Sequence, residues 1–184
     1  MSHKYKEIDQ TQPTFITITV IDWVDVFIRL EYYRILDASL NYCIQNKGLR
    51  VHAYVYMTSH IHLIVTSEGE ALQDIIRDFK KFTSKRMIEA IKEYPESRRE
   101  WLLKKFSFAA KRIKRGVNYK FWKDGYHPVL LDSFKKLEQR VHYIHYNPVA
   151  ARFVYHERDW INSSYAAYEE GNLETPGVMV ELLR

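Results

Sequence analysis

Cysteine is almost absent. Cys43 stands alone, which excludes an internal disulfide framework and any cysteine-rich zinc module. Glycine and proline are scarce, six and five in 184 residues, too few for a disordered or low-complexity chain. No apolar run approaches the roughly 18 residues that a membrane span requires, so no membrane partner is expected. The first 13 residues are polar and lack the apolar core of a secretion signal, which makes a reducing cytoplasm the expected compartment. Acidic charge is sparse in one place. Between Arg77 and Lys123, 16 Lys and Arg face only 5 Asp and Glu, whereas the remainder holds 12 basic and 18 acidic residues. A solvated face ordinarily mixes its signs, so a contiguous basic third points to a polyanionic partner. Aromatic residues, by contrast, are plentiful at 15%, with 14 tyrosines. Cations combined with aromatic faces suit a nucleic acid with accessible bases, although tyrosines serve equally as core and rim packing.

The hydrophobic share, 46%, is enough for one globular core. Thr14 to Asp22 alternates β-branched and apolar residues, the pattern of a strand. Val26 to Asn46 repeats apolar residues near a 3.6-residue period and closes on Lys47-Gly48, predicting a helix with a glycine cap. Leu49–Met57 and His60–Thr66 predict two strands joined tightly at Thr58-Ser59. Glu70–Glu93 predicts a long helix with Leu72, Ile75, Ile76, Phe79 and Phe82 inward, and Arg77, Lys80, Lys81, Ser84 and Lys85 on the other face. Pro95–Arg115 reads as a less regular basic helix, and Tyr119–Trp122 and Pro128–Leu131 as short extended pieces. Phe134 to about Asn147 reads as a helix capped by Ser133 and stopped by Pro148. The order β-α-β-β-α, followed by further β and α pieces, is the ferredoxin-like split βαβ pattern. The expected class is therefore α+β, an antiparallel sheet with helices mainly on one face. A polar tail (1–13), a domain (14–148) and a C-terminal extension packed on or near it (149–184) are the expected divisions.

Two groups of residues could carry chemistry. His60 and His62 flank Ile61 on a strand, and the two-residue period puts both imidazoles on one face, where they can chelate one metal ion. The plainer reading is a pair of partly buried, hydrogen-bonded histidines. On the last helix, Phe134, Leu137, Val141 and Ile144 form a core stripe, while Lys136, Arg140, Tyr143 and Asn147 share another face. Cations one turn from a phenol favour its ionised form, and a carboxamide one turn further offers an oxygen ligand. An ordinary amphipathic helix has the same spacing. Trp101, Tyr119 and Trp122 are large enough either to stack bases or to fill the core.

AYVYMTSHIHLIV, IIRDFKKFTSKRM, FWKDGYHPV and YIHYNPVAARFV, in that order, resemble the REP-associated tyrosine transposases. These are an IS200-like branch of the single-tyrosine transposases within the HUH nucleases. The likeness runs from about Phe15 to Tyr168. It implies the HUH nuclease fold and an enzyme of DNA transposition and recombination. Such an enzyme is an endonuclease and strand transferase that cleaves and rejoins single-stranded or hairpin DNA at REP-like sequences, with Mg²⁺ or Mn²⁺ as cofactor. Position by position, it implies His60 and His62 as metal ligands and Asn147 as a polar third ligand. Tyr143 becomes the nucleophile, displacing a 3′ hydroxyl and retaining a 5′ phosphotyrosine. Arg77, Lys80, Lys81, Lys85, Lys136, Arg140 and Trp122 are the expected DNA contacts. The chain departs from the family pattern at Ser59, where Asn is usual before the first histidine. It departs again at Tyr146, and in VAARFV, where Gly is usual near Arg152. A non-catalytic nucleic-acid-binding module, descended from such an enzyme, is the alternative. The sequence leaves open the hairpin recognised, the target site, and whether the protein is a monomer or a homodimer.

Overall fold

The computed structural model describes residues 9–113, 116–169, 171 and 177–183. The first eight residues of the polar tail, Lys114 and Arg115 of the basic stretch, and residues 170, 172–176 and 184 of the C-terminal extension lie outside the described residues. Four strands, β1 (Thr14–Thr19), β2 (Leu49–Tyr56), β3 (His60–Ser67) and β4 (Val129–Leu130), form one antiparallel sheet in the order β2-β3-β1-β4. Helix α1 (Leu30–Lys47) carries the chain from β1 across to β2, and β3 then inserts between them, the split βαβ arrangement. The crossover ends at Gly48, whose φ of 74° closes α1. A Cβ there would lie 2.6 Å from the Gly69 backbone, so neither close approach nor backbone conformation tolerates a side chain.

The sheet is apolar on both faces. Ile16 and Ile18 of β1, Tyr54 and Tyr56 of β2, and Ile61, Leu63 and Val65 of β3 pack against Leu36 and Leu40 of α1. The same core includes Ile75, Ile76 and Phe79 of α2 (Leu72–Glu93) and Phe106 of α3 (Arg99–Ile113). Each such side chain contributes about 1.5–3 kcal/mol on burial. On the opposite face, Phe15, Ala53, Val55 and Ile64 meet Ile144 of α4 (Phe134–Ala150), with Leu137 and Val141 beside it. Helices thus lie mainly on one face, as expected, but the last long helix crosses to the other.

Several expectations need correction. β1 stops at Thr19 rather than Asp22, because Asp22 and Trp23 adopt left-handed φ values of 54° and 56°. α1 starts at Leu30 rather than Val26, since Val26 and Phe27 are buried while their N–H groups donate to the Thr58 carbonyl. Ser133 caps α4 by accepting from the Lys136 N–H. Pro148, however, does not stop the helix, which runs on to Ala150. Burial of Ile144, His145 and Pro148 outweighs the single hydrogen bond that the proline removes. Phe134 and Phe82 are not core residues. They are 73% and 58% exposed.

The C-terminal extension, which includes the short helix α5 (Tyr165–Glu169), covers the free edge of β2. The N–H groups of Ser164 and Glu181 donate to Tyr54 and Val51, and Tyr56 donates to Asn162, all at 2.9 Å. Covering this edge removes a row of unpaired backbone groups. Between α1 and α3, Glu96 accepts from Arg29, Tyr32 and Arg98. Burial opposes its charge, but the Arg98 backbone N–H and these side chains bring its pKa down to about 2. Among the described residues no helix is long and apolar enough to cross a membrane.

Candidate active site

β3 pairs with β1 so that Thr17 faces His62 and Thr19 faces His60. Because Ile61, Leu63 and Val65 occupy the α1–α2 core, the alternation of the strand turns His60 and His62 to the α4 face. The two imidazole centroids are 4.8 Å apart. His62 is 5% exposed, and its Nδ1 lies 2.9 Å from the Thr17 hydroxyl. Its Nε2 is buried and has no hydrogen-bond partner. A buried ring nitrogen left unpaired is costly unless something else binds it. Burial lowers the pKa of His60 to about 4 and of His62 to about 3, the latter helped by neighbouring His60 and Arg140. Both rings are therefore neutral at pH 7, the state in which imidazole binds metal. Ser59, at the position where Asn was expected, places its hydroxyl 3.2 Å from His60 Nδ1.

These features fit a divalent ion on the two histidines. Among the described residues no third His, Cys, Asp or Glu joins them, so oxygen donors of another kind must complete any coordination. Asn147, half-buried on α4, has no side-chain hydrogen bond among the described residues.

Tyr143 comes to the pair from the other end of the sequence. Its ring meets His62 at 5.3 Å between centroids and Phe15 at 6.0 Å. Phe15 stacks on His62 at 5.2 Å, and the Arg140 guanidinium lies over both Phe15 (4.8 Å) and Tyr143 (5.6 Å). Tyr143 is 41% exposed and thus accessible. Tyr146 stacks instead on His142 at 5.5 Å. Of the expected helix face, Arg140 and Tyr143 are brought together with the histidines, while Lys136 pairs with Asp132 at 2.7 Å.

The remaining expected DNA contacts divide. Arg77, Lys80, Lys81 and Lys85 belong to α2, which packs on the sheet face opposite to the histidines. Arg77 is engaged by Asp74 and Asp78. Lys80 donates to the carbonyls of Lys123 and Gly125 and thereby holds that loop. Lys81 and Lys85 are exposed. Trp122 is a correction. It is 5% exposed, its Nε1 donates to the Thr83 hydroxyl, and Phe27 and Phe121 surround it, so it offers no face to a base. Tyr119 is partly buried under the Lys92 ammonium, whereas Trp101 is 50% exposed.

Sequence reading missed Phe15, Thr17, Trp23 and Lys123. The first two were visible only as alternating strand residues, and their importance follows from register with β3. Lys123 is exposed and donates its N–H to the Thr19 carbonyl, at the same end of the sheet as His60. His52 and His145 are structural. His52 bridges the Glu181 carbonyl and the Thr66 hydroxyl, and His145 bonds the Ser164 hydroxyl.

A profile of the family "Transposase IS200 like" matches residues 25–112, a segment that contains the histidine pair but ends before Tyr143. Among solved structures, a REP-associated tyrosine transposase bound to a REP hairpin superposes with a TM-score of 0.66. Its identity to this chain is 16%, over 100% of this chain and 94% of that one. That likeness establishes the fold. A candidate transposase from Deinococcus radiodurans R1 gives 0.42 at 14% identity, over 76% of this chain and 92% of that one, too loose to carry an argument. No curated protein sequence matches.

Proposed function

We propose that this chain, whose residues 25–112 match the IS200-like transposase family, cleaves and rejoins single-stranded DNA at hairpin sequences, with Tyr143 as nucleophile. One observation carries the reading: the Tyr143 ring rests against His62, 5.3 Å away, although 81 positions separate them in sequence. The fold shared with a hairpin-bound relative supports a DNA hairpin as substrate.

A phosphodiester resists attack because its anionic oxygens repel a nucleophile. Mg²⁺ or Mn²⁺, held by His60, His62 and the Asn147 carboxamide, would supply a Lewis acid for a non-bridging oxygen. The chain's own groups do the rest. The Thr17 hydroxyl takes up His62 Nδ1 and leaves Nε2 without a protein partner, the nitrogen that would ligate an ion with the ring proton on Nδ1. Phe15 and Arg140 clamp that ring and the phenol in one stack, with the guanidinium positioned for phosphate. Tyr143 oxygen bonds phosphorus, the bond to the 3′ oxygen breaks, and that oxygen takes a proton as it leaves. One phosphodiester replaces another, so reversal with a new 3′ hydroxyl rejoins the strand without ATP.

Tyr143→Phe keeps the ring and removes the attacking atom. On denaturing gels with end-labelled hairpin DNA and Mn²⁺, the wild-type protein should give a covalent adduct and the variant none, with DNA binding retained. Cleavage by Tyr143→Phe, or an adduct mapped to Tyr146, would overturn the assignment. Binding without any wild-type adduct would leave the non-catalytic module.

A further inference from the structure

Beyond the reacting groups, one strained segment borders the histidine pair. After β1 the chain reverses through Asp22 and Trp23, two successive non-glycine residues with φ of 54° and 56°. L side chains rarely adopt this conformation, and two in succession persist only where the surroundings enforce them. The enforcement is visible. Ile21 donates to the Phe121 carbonyl (2.8 Å), Trp23 to Val20 (3.1 Å) and Val24 to Ile21 (3.3 Å), and the Asp22 carboxylate binds Lys105 at 3.3 Å. The neighbours Val20, Val24 and Val26 are buried, yet Trp23 is 56% exposed. Its indole stands 5.1 Å from the His60 ring, the planes meeting at 73°. The strain therefore holds a large apolar ring in water beside a candidate metal ligand.

From this placement we infer that Trp23 is a stacking platform for one unpaired base flanking the phosphate that Tyr143 attacks, an inference that rests on the function proposed above. An exposed indole is a sequence-tolerant partner for any base. The Lys105 ammonium pairs with Asp22 in the turn, and exposed Lys123 is held by its backbone N–H on Thr19, opposite His60, so basic residues flank the segment that carries the platform. Separation from the His60 ring is within the reach of a single nucleotide, so a base on Trp23 fixes which phosphate arrives at the histidines.

The test is an abasic scan along the single-stranded flanks of a REP-like hairpin oligonucleotide. Affinity is read by fluorescence anisotropy for the wild type, Trp23→Ala and Trp23→Phe. The wild type should lose about tenfold at one flank position. Trp23→Ala should bind intact DNA about tenfold more weakly and be indifferent to the abasic site there, with Trp23→Phe recovering most of the loss. Mn²⁺ titration of the proteins alone should give equal affinity in all three. Equal DNA binding by Trp23→Ala, or a weakened variant that keeps the full abasic penalty, would overturn the inference. So would a scan in which the wild type is sensitive nowhere. Failure of the reaction itself reads out separately, as a wild-type protein that shows the abasic pattern but forms no adduct.

Discussion

Thr17 and His62 face each other across neighbouring strands, and their 2.9 Å contact decides which imidazole nitrogen is free. A hydroxyl on Nδ1 leaves Nε2 buried and unpaired, so the cost of that orphan is recovered only when something binds it. Thr17→Val keeps the branched shape of the side chain and removes the hydroxyl. The ring then has no partner fixing its tautomer, and Mn²⁺ affinity should fall about tenfold, as measured by calorimetry. His60→Ala removes a ligand outright and should lose at least as much. If Thr17→Val binds Mn²⁺ as the wild type does, the hydroxyl has no orienting role. Elsewhere single contacts matter less. Exposed pairs such as Arg77 with Asp74 add little, since water screens both charges.

α2 and α4 divide the work of the molecule between two faces. α4 covers the histidine face and delivers Arg140 and Tyr143, whereas α2 buries its apolar side beneath the sheet and turns Lys81 and Lys85 to solvent on the far side. Among the described residues, Arg140 lies over the Phe15 and Tyr143 rings, and exposed Lys123 is tied by its backbone to Thr19, opposite His60. Replacing Lys123 with Ala should weaken binding of any single strand and flatten the slope of log K against log salt by about 0.7. Arg77→Ala, with its cation already shared by Asp74 and Asp78, should leave the slope unchanged. The reverse result, a slope flattened by Lys81→Ala and Lys85→Ala but not by Lys123→Ala, would place the DNA on the α2 face.

At the scale of the whole molecule, buried histidines set the response to acid. Burial holds His52 below its ordinary pKa and brings His60 to about 4, His62 to about 3 and His145 to about 4. In the unfolded chain each titrates near 6.5. Between that value and about 4 the unfolded state therefore binds more protons, and the stability present above pH 6.5 is lost as the pH falls. Asp37 acts in the opposite direction, since burial raises it to about 6 against the hydrogen bond from Tyr56. Four histidines outweigh one carboxylate, and Glu96, at about 2, keeps its charge throughout this window. In EDTA, Tm should fall steadily from pH 6.5 to 4. His145→Gln, which can still reach Ser164, should lose less over the same interval. A Tm that is flat across it would mean that the histidines are not held neutral by the fold.

Periodicity alone determined the elements and their order, because the two-residue alternation of β1 and β3 and the 3.6-residue stripes of α1 and α2 are written locally. The same alternation put His60 and His62 on one side of a strand, and the Lys47-Gly48 cap ended α1 where it was expected. Boundaries failed where non-local packing outweighed local preference, at Pro148, buried within α4, and at Val26, buried in extended chain. Trp122 could not be assigned from sequence, since one indole serves core or surface equally until Thr83 and Phe27 surround it. Nor does any local pattern say that α4 crosses to the histidine face, that Thr17 takes Nδ1 of His62, or that a strained turn holds Trp23 beside His60. Those relations join residues dozens of positions apart, and they exist only once strand register and helix docking have fixed which side chains meet.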